Sequence, residues 1–178
     1  MAKRLVLVNG LPGSGKSTLA AQLARELECP WLSKDRIKES LADAVEWPAL
    51  EPSLGSIATE TLWTLAARIP DTVVAESWWF APRDRDFLAR GLATARALGS
   101  VEVWCYVPVE TARRRYEQRR RHRVHRDDRD MAQEWRRWAE DGRPVALGPV
   151  VRVQTSGPVD ITRLAGRLES LFEVRQSF

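Results

Sequence analysis

The chain is poor in residues that staple or ligate. Among its 178 residues are two cysteines, Cys29 and Cys105, and two histidines. Two cysteines set no disulfide framework and show no metal-ligand spacing. Cys105 lies in an apolar, strand-like run and reads as core. The longest unbroken apolar run, 103–107, has five residues, whereas a membrane-spanning helix needs about 20. The short apolar stretch 5–8 is followed at once by Gly10, Pro12 and Gly13, which is not a secretory leader, so the cytoplasm is the expected compartment. Repeats, low-complexity tracts and linkers are absent. A chain of this length buries roughly 70% of its unfolded surface and needs no disulfide or metal staple. It suits one α/β domain spanning 1–178.

Lysine is scarce as well: 24 of the 28 basic residues are Arg. Coding bias alone can produce that ratio, so arginine abundance by itself carries no functional weight. Placement does. The net charge is +4, yet residues 111–137 hold eleven Arg against five acids, a local net of +6. The rest of the chain is net −2, because its 17 basic side chains face 19 acidic ones. A basic excess confined to one segment points to a local anion site rather than a surface coated in positive charge.

What is present alternates between strand and helix. Short apolar runs at 5–8, 31–33, 72–75, 101–107 and 150–153 read as strands. Apolar positions recurring at helical spacing predict helices over 18–28, 35–45, 56–68, 83–98 and 110–121. Ile57, Leu62 and Leu65 share one side of the third of these. Met131, Trp135 and Trp138 mark a further helix, and Ile161, Leu164, Leu168 and Leu171 line the last. Pro48, Pro52 and Gly55 predict a loop over 46–55. Apolar strands alternating with amphipathic helices mean a parallel sheet covered on both faces, with ligands outside the carboxyl ends of its strands.

Gly10, Leu11, Pro12, Gly13, Ser14, Gly15, Lys16 and Ser17 satisfy G-x-x-x-x-G-K-[ST] between a strand and a helix. Glycines let the backbone wrap closely, so successive N–H groups point at phosphate oxygens. The helix N-terminus adds partial positive charge. In such a loop Lys16 reaches the β- and γ-phosphates of ATP, the Ser17 hydroxyl coordinates Mg²⁺, and Thr18 helps to hold the α-phosphate. The chain lacks the Asn-Lys-x-Asp motif of GTPases and the Leu-Ser-Gly-Gly signature of ABC-type ATPases, and it is too short for a motor or a AAA machine. Small P-loop kinases remain.

GLPGSGKST, then SKDRIKESLAD, then VPVETARRRYEQR resemble the AAA_33-type small P-loop kinases, which are similar to polynucleotide 5′-kinases, gluconate kinases, chloramphenicol phosphotransferases and zeta toxins. The resemblance covers the whole chain. It implies a five-stranded parallel sheet in the order 2-3-1-4-5 and an Arg-rich lid, about 119–130, that closes over ATP. It also implies that Asp35 takes the proton from the acceptor hydroxyl. The plainer role for Asp35 is to cap the following helix. Those kinases often carry Arg where this chain has Lys38, which lacks the planar fork that grips a phosphate on two sides.

Glu76 ends the third strand where a Walker B acid falls. It is a candidate for an Mg²⁺-bound water or an acceptor hydroxyl, or for a simple ion pair with Arg83 or Arg85. Trp78 and Trp79 follow and are candidates for an acceptor wall, with core packing as the alternative. Trp104, Trp135 and Trp138 read as core. Within the basic segment Arg119, Arg123 and Arg115 are the candidates to meet charge at the transferring phosphoryl group. Arg115 and Arg119 sit one turn apart on one helix face. His122 and His125 read as phosphate contacts or exposed residues. Thr155 and Gly157 follow the fifth strand, where similar kinases touch adenine.

The expected function is transfer of the ATP γ-phosphoryl group to a hydroxyl of a small molecule such as a sugar, nucleoside or antibiotic. A polynucleotide 5′-hydroxyl kinase is the alternative. A nucleotide-binding switch or assembly ATPase is the rival from another class.

Overall fold

The computed structural model describes residues 3–45, 47–120, 122–125 and 130–174. Strands β1 (Arg4–Gly10), β2 (Trp31–Ser33), β3 (Val73–Glu76), β4 (Gly99–Tyr106) and β5 (Val150–Gln154) form one parallel sheet in the order β2-β3-β1-β4-β5. Around it pack α1 (Lys16–Glu26), α2 (Lys34–Val45), α3 (Leu54–Arg68), α4 (Ala81–Thr94), α5 (Val109–Gln118), α6 (Ala132–Asp141) and α7 (Ile161–Val174). The expected α/β class and strand order are both observed.

Strand periodicity explains the layers. Successive side chains of β1 point to opposite faces of the sheet, and both faces are covered, so its middle, 5–8, is apolar throughout. Val6 and Val8 pack with Leu19 and Leu23 of α1 and Leu164, Leu168 and Phe172 of α7. Leu5 and Leu7 pack with Leu62 and Trp63 of α3 and Leu88 of α4. The central strand β1 is flanked by β3 and β4. Register pairs Val8 with Glu76 on one side and Gly10 with Cys105 on the other. The carboxyl ends of β1 and β3 therefore lie together, with the phosphate loop directly beyond them.

Several boundaries differ from the sequence expectation. The predicted loop 46–55 contains a 3₁₀ helix, Pro48–Ser53, and α3 begins at Leu54. Proline is tolerated in a first helical turn because its missing N–H would have no partner there. Leu65 is 43% exposed. The buried stripe of α3 runs instead through Leu54, Ala58, Leu62 and Ala66 at i+4 steps, with Trp63 beside it. Helix α4 starts two residues earlier than expected, where the Asp84 carboxylate accepts the Phe80 N–H at 2.8 Å. It ends earlier too, leaving Leu98 exposed. Helix α5 stops at Gln118, so Arg119 is its C-cap with extended backbone rather than a member of the helix face.

Packing between α3 and α4 is tight enough to test. A Cβ built on Gly91 of α4 collides with the Trp63 indole. Alanine favours helix over glycine, but overpacking a core costs about 1–3 kcal/mol. Gly91→Ala is therefore expected to lower the urea midpoint by a matching amount. An unchanged or raised midpoint would contradict the packing described.

Candidate active site

The phosphate loop connects β1 directly to α1. Gly10, Gly13 and Gly15 all have positive φ, at 147°, 82° and 89°. At Gly10 and Gly13 a Cβ would run into the backbone carbonyls of Cys105 and Ala112. Only glycine satisfies both the dihedral and the close approach there. Leu11 and Ser14 are buried. The Leu11 side chain packs with Val107, Ala112 and Trp135, while its carbonyl accepts a hydrogen bond from Lys16 Nζ at 3.0 Å. Gly10, Leu11 and Ser14 thus shape the loop from behind. Gly13, Gly15, Lys16, Ser17 and Thr18 line a cavity of about 730 Å³, opposite Arg115, Arg119, Thr155 and Gly157.

The far wall of that cavity is tied down. Thr155 Oγ1 donates to the Ser14 carbonyl at 2.5 Å, and Arg115 Nη1 donates to the Thr155 carbonyl at 3.2 Å. The loop after β5, the phosphate loop and α5 therefore form one rim. Arg115 and Arg119 both reach it, although only Arg115 belongs to the helix.

A second cavity of about 260 Å³ opens on the other side of Lys16. It is lined by Pro12, Lys34, Asp35, Lys38, Glu76, Trp78, Arg83, His125 and Trp138, and it shares Gly13, Lys16, Ser17 and Arg119 with the first. The two cavities meet at those shared residues. Asp35 lies inside the first turn of α2, one residue past its start. That is not a capping position, but it is a place where a carboxylate complements the helix dipole.

The electrostatics are set by burial. Lys16 is 8% exposed. Desolvation pulls its ammonium below the ordinary lysine range, against the attraction of Glu76 and Asp35. Glu76 is 3% exposed. Desolvation pushes its carboxyl above the ordinary range, against Lys16 and the hydroxyls of Ser33 and Ser17. Ser17 Oγ donates to Glu76 Oε1 at 3.3 Å, and Oε2 is buried without a hydrogen-bond partner among the described residues. A buried carboxylate oxygen left open beside a serine hydroxyl fits a hydrated Mg²⁺, which keeps several waters and takes few protein ligands. The simple ion-pair reading of Glu76 is corrected. Arg83 is held by Asp84 at 2.7 Å, and Arg85 Nη1 donates to the Val145 carbonyl.

The aromatics divide. Trp78 lines the second cavity and packs against Phe80, Trp104 and Trp138. Trp138, expected in the core, joins that wall. Trp79 turns the other way, 5% exposed and stacked on Trp63 with ring centroids 6.2 Å apart. It belongs to the core and not to an acceptor wall.

Arg123 is exposed and lines neither cavity. It lies in the short 3₁₀ turn Arg123–His125, which rests on α2. There Val124 packs with Ala42 and Leu54, and Lys38 Nζ donates to the Val124 carbonyl at 2.9 Å. His122 pairs with Asp43 at 2.9 Å and His125 with Glu39 at 2.8 Å. The histidines therefore fasten this segment to the helix that carries Asp35. Of the expected lid, 119–130, residues 121 and 126–129 lie outside the described residues.

Sequence reasoning missed Asn9, Glu102 and Lys34. Asn9 Oδ1 accepts the N–H groups of Gly10 at 2.8 Å and Trp79 at 3.0 Å, and its Nδ2 donates to the Trp79 carbonyl and to Glu102 Oε1. Glu102, 2% exposed, also accepts the N–H groups of Val145 and Ala146. This buried network locks the start of the phosphate loop to the segment carrying Trp78. The signal available was a polar residue closing an apolar strand, which has many other causes.

Five parallel strands, a phosphate loop at the central strand and an Arg-bearing rim define the fold of the small P-loop kinases. The sequence profile of the AAA_33 family, an AAA domain, matches residues 5–140, and the chain belongs to that family. No curated protein matches it significantly. Among solved structures, a presumed kinase from Chloroflexus aurantiacus J-10-fl is 26% identical with a TM-score of 0.77, covering 96% of this chain and 99% of that one. Shikimate kinase from Acinetobacter baumannii, in complex with shikimate, is 20% identical with a TM-score of 0.58 over 99% and 96% of the chains. Chaetomium thermophilum Kti12, in complex with ADP-AlF3, is 21% identical with a TM-score of 0.62 over 95% and 97%. None of the described helices is long and apolar enough to cross a membrane.

Proposed function

We propose that this protein is an ATP-dependent kinase that moves the γ-phosphoryl group to a hydroxyl of a small molecule. The observation that carries the reading is the meeting of two cavities at Lys16, Ser17 and Arg119, one lined by the phosphate loop and one bearing Asp35. In this reading the larger cavity takes ATP and the smaller takes the acceptor. The acceptor oxygen bonds to the γ-phosphorus, its proton passes to the Asp35 carboxylate, and the bond to the ADP oxygen breaks. Lys16 and Arg119 meet the charge on the transferring group, and Arg115 supports the rim. Such catalysis is mostly positioning plus charge stabilisation. When bound, Mg²⁺ would supply charge neutralisation on the triphosphate; the Ser17 hydroxyl would hold it, and Glu76 would hold one of its waters. Thr155 and Gly157 border the nucleotide. In this reading the chain is one domain, 1–178, acting in the cytoplasm.

The size of the second cavity, about 260 Å³, supports a small acceptor over a nucleic-acid strand. A screen of hydroxylated metabolites for acceptor-dependent ADP release tests the reading. Release that no acceptor stimulates, together with a stable protein complex, would favour an assembly ATPase instead.

Glu76 gives the reading a pH signature. It has to be ionised to hold a metal-bound water, and burial holds its pKa above the ordinary carboxylate range. Activity is then lost as pH falls through that raised value and is complete above it. The profile of kcat/KM for Mg·ATP, which reports the free enzyme, should show its acid limb above the usual carboxylate range. Glu76→Gln should remove that limb and cost about 10–100-fold, as other outer metal partners do. A limb at the ordinary carboxylate position, or full activity in Glu76→Gln, would contradict the assignment.

A further inference from the structure

Against 24 arginines the chain has four lysines, Lys3, Lys16, Lys34 and Lys38. Three of the four line the smaller cavity. Lys16 serves the γ-phosphate in the reading above, and Lys38 donates to the Val124 carbonyl. Lys34 has neither task. It opens α2 one residue before Asp35 and lines the acceptor cavity but not the nucleotide cavity.

Arg83 lines the same cavity from the first turn of α4 and is likewise absent from the other. Asp84 accepts its Nε and Nη2 at 2.7 Å each. This bidentate pair orients the guanidinium and leaves Nη1 and an outer N–H as free donors for a ligand. Asp84 also accepts the Phe80 N–H. Around Lys34 the carboxylates do not make up for lost water: burial keeps its ammonium below the ordinary range despite the attraction of Asp35 and Asp84. An added anion would offset that loss.

We propose that the phosphoryl acceptor carries an anionic group, a carboxylate or a phosphate, which seats on Lys34 and Arg83 while its carbon skeleton lies against Trp78 and Trp138. The proposal rests on the kinase reading and narrows its substrate class to small hydroxylated anions. Lys34 and Asp35 are adjacent in one helical turn, so the anion and the reacting hydroxyl belong to one short molecule. A site of about 260 Å³ holds such a molecule. Lysine and arginine here also screen the repulsion between an anionic acceptor and the triphosphate, which Lys16 and Arg119 alone would have to counter.

The test is a binding measurement on the full chain saturated with Mg²⁺ and a non-hydrolysable ATP analogue. Matched probes are titrated by calorimetry: aldonates against alditols of equal carbon number, hexose 6-phosphates against the free hexoses, and a 3′-phosphorylated dinucleotide. In at least one small-molecule pair the anionic member should bind at least about 10-fold tighter, the scale of one charge-assisted hydrogen bond. The pair that responds identifies carboxylate or phosphate. Lys34→Gln should erase the preference without changing affinity for the ATP analogue, and Lys34→Arg should restore most of it. Equal affinity within every pair, a preference that survives Lys34→Gln, no binding by any probe, or binding by the dinucleotide alone overturns the proposal. The readout needs no turnover, so failure of the kinase reading in the screen for acceptor-dependent ADP release is a separate result.

Discussion

Asp35→Asn is expected to leave nucleotide affinity intact and to lower acceptor-dependent turnover by about 10²–10⁴-fold, the usual contribution of a positioned general base. The expectation follows from where Asp35 sits. It lines the smaller cavity and not the larger one lined by the phosphate loop. Asparagine keeps the size and polarity of the side chain and remains compatible with the first turn of α2. It cannot take a proton. Binding of Mg·ADP and of acceptor should therefore persist while the chemical step fails, so kcat falls and both dissociation constants hold. Unchanged turnover would remove the base assignment. Weakened nucleotide binding would instead mean that Asp35 supports the phosphate loop.

Lys16→Ala is expected to weaken nucleotide binding and to lower kcat by at least about 10²–10³-fold, the cost of deleting one preorganised electrostatic donor. Lys16 is shared by both cavities. Its ammonium is buried and held by the Leu11 carbonyl, so it is aimed before the nucleotide arrives. A second consequence concerns Glu76. Lys16 is the strongest influence holding the Glu76 pKa down against burial. Its loss should move the Glu76 pKa further upward. Residual Lys16→Ala activity should then show an acid limb at higher pH than the parent. An inert Lys16→Ala change, or a limb that moves to lower pH, would contradict this account of the site.

The phosphate loop was legible because all its requirements are local. Three glycines at positive φ, a lysine and a serine fall within eight positions, 10–17, where a strand passes into a helix. The place of Asp35 at the smaller cavity was legible for a similar reason, since it lies two residues past the end of the second strand. The aromatic pair shows where local reasoning stops. Trp78 and Trp79 are neighbours of the same type, and their opposite fates depend on contacts about 70 residues away in the chain, where Asn9 grips the Trp79 backbone. Trp63 then completes the stack that keeps Trp79 in the core. Arg119 and Arg123 divide likewise: both come from one basic run, but docking of Val124 on α2 draws Arg123 away from the cleft. The partners of His122 and His125 are on α2, roughly 80 residues earlier, and no periodicity announces them. Lys34 escaped notice because Asp35 beside it explained the segment.

The central claim is that ATP and the acceptor approach each other across Lys16, with Asp35 on the acceptor side. A crystal structure with Mg²⁺ and a non-hydrolysable ATP analogue tests it directly. The γ-phosphorus should lie within about 6 Å of an Asp35 carboxylate oxygen, the span of one hydrogen-bonded hydroxyl in line for attack. A γ-phosphorus that points away from Asp35, or lies too far off for a single hydroxyl to bridge, would contradict the claim.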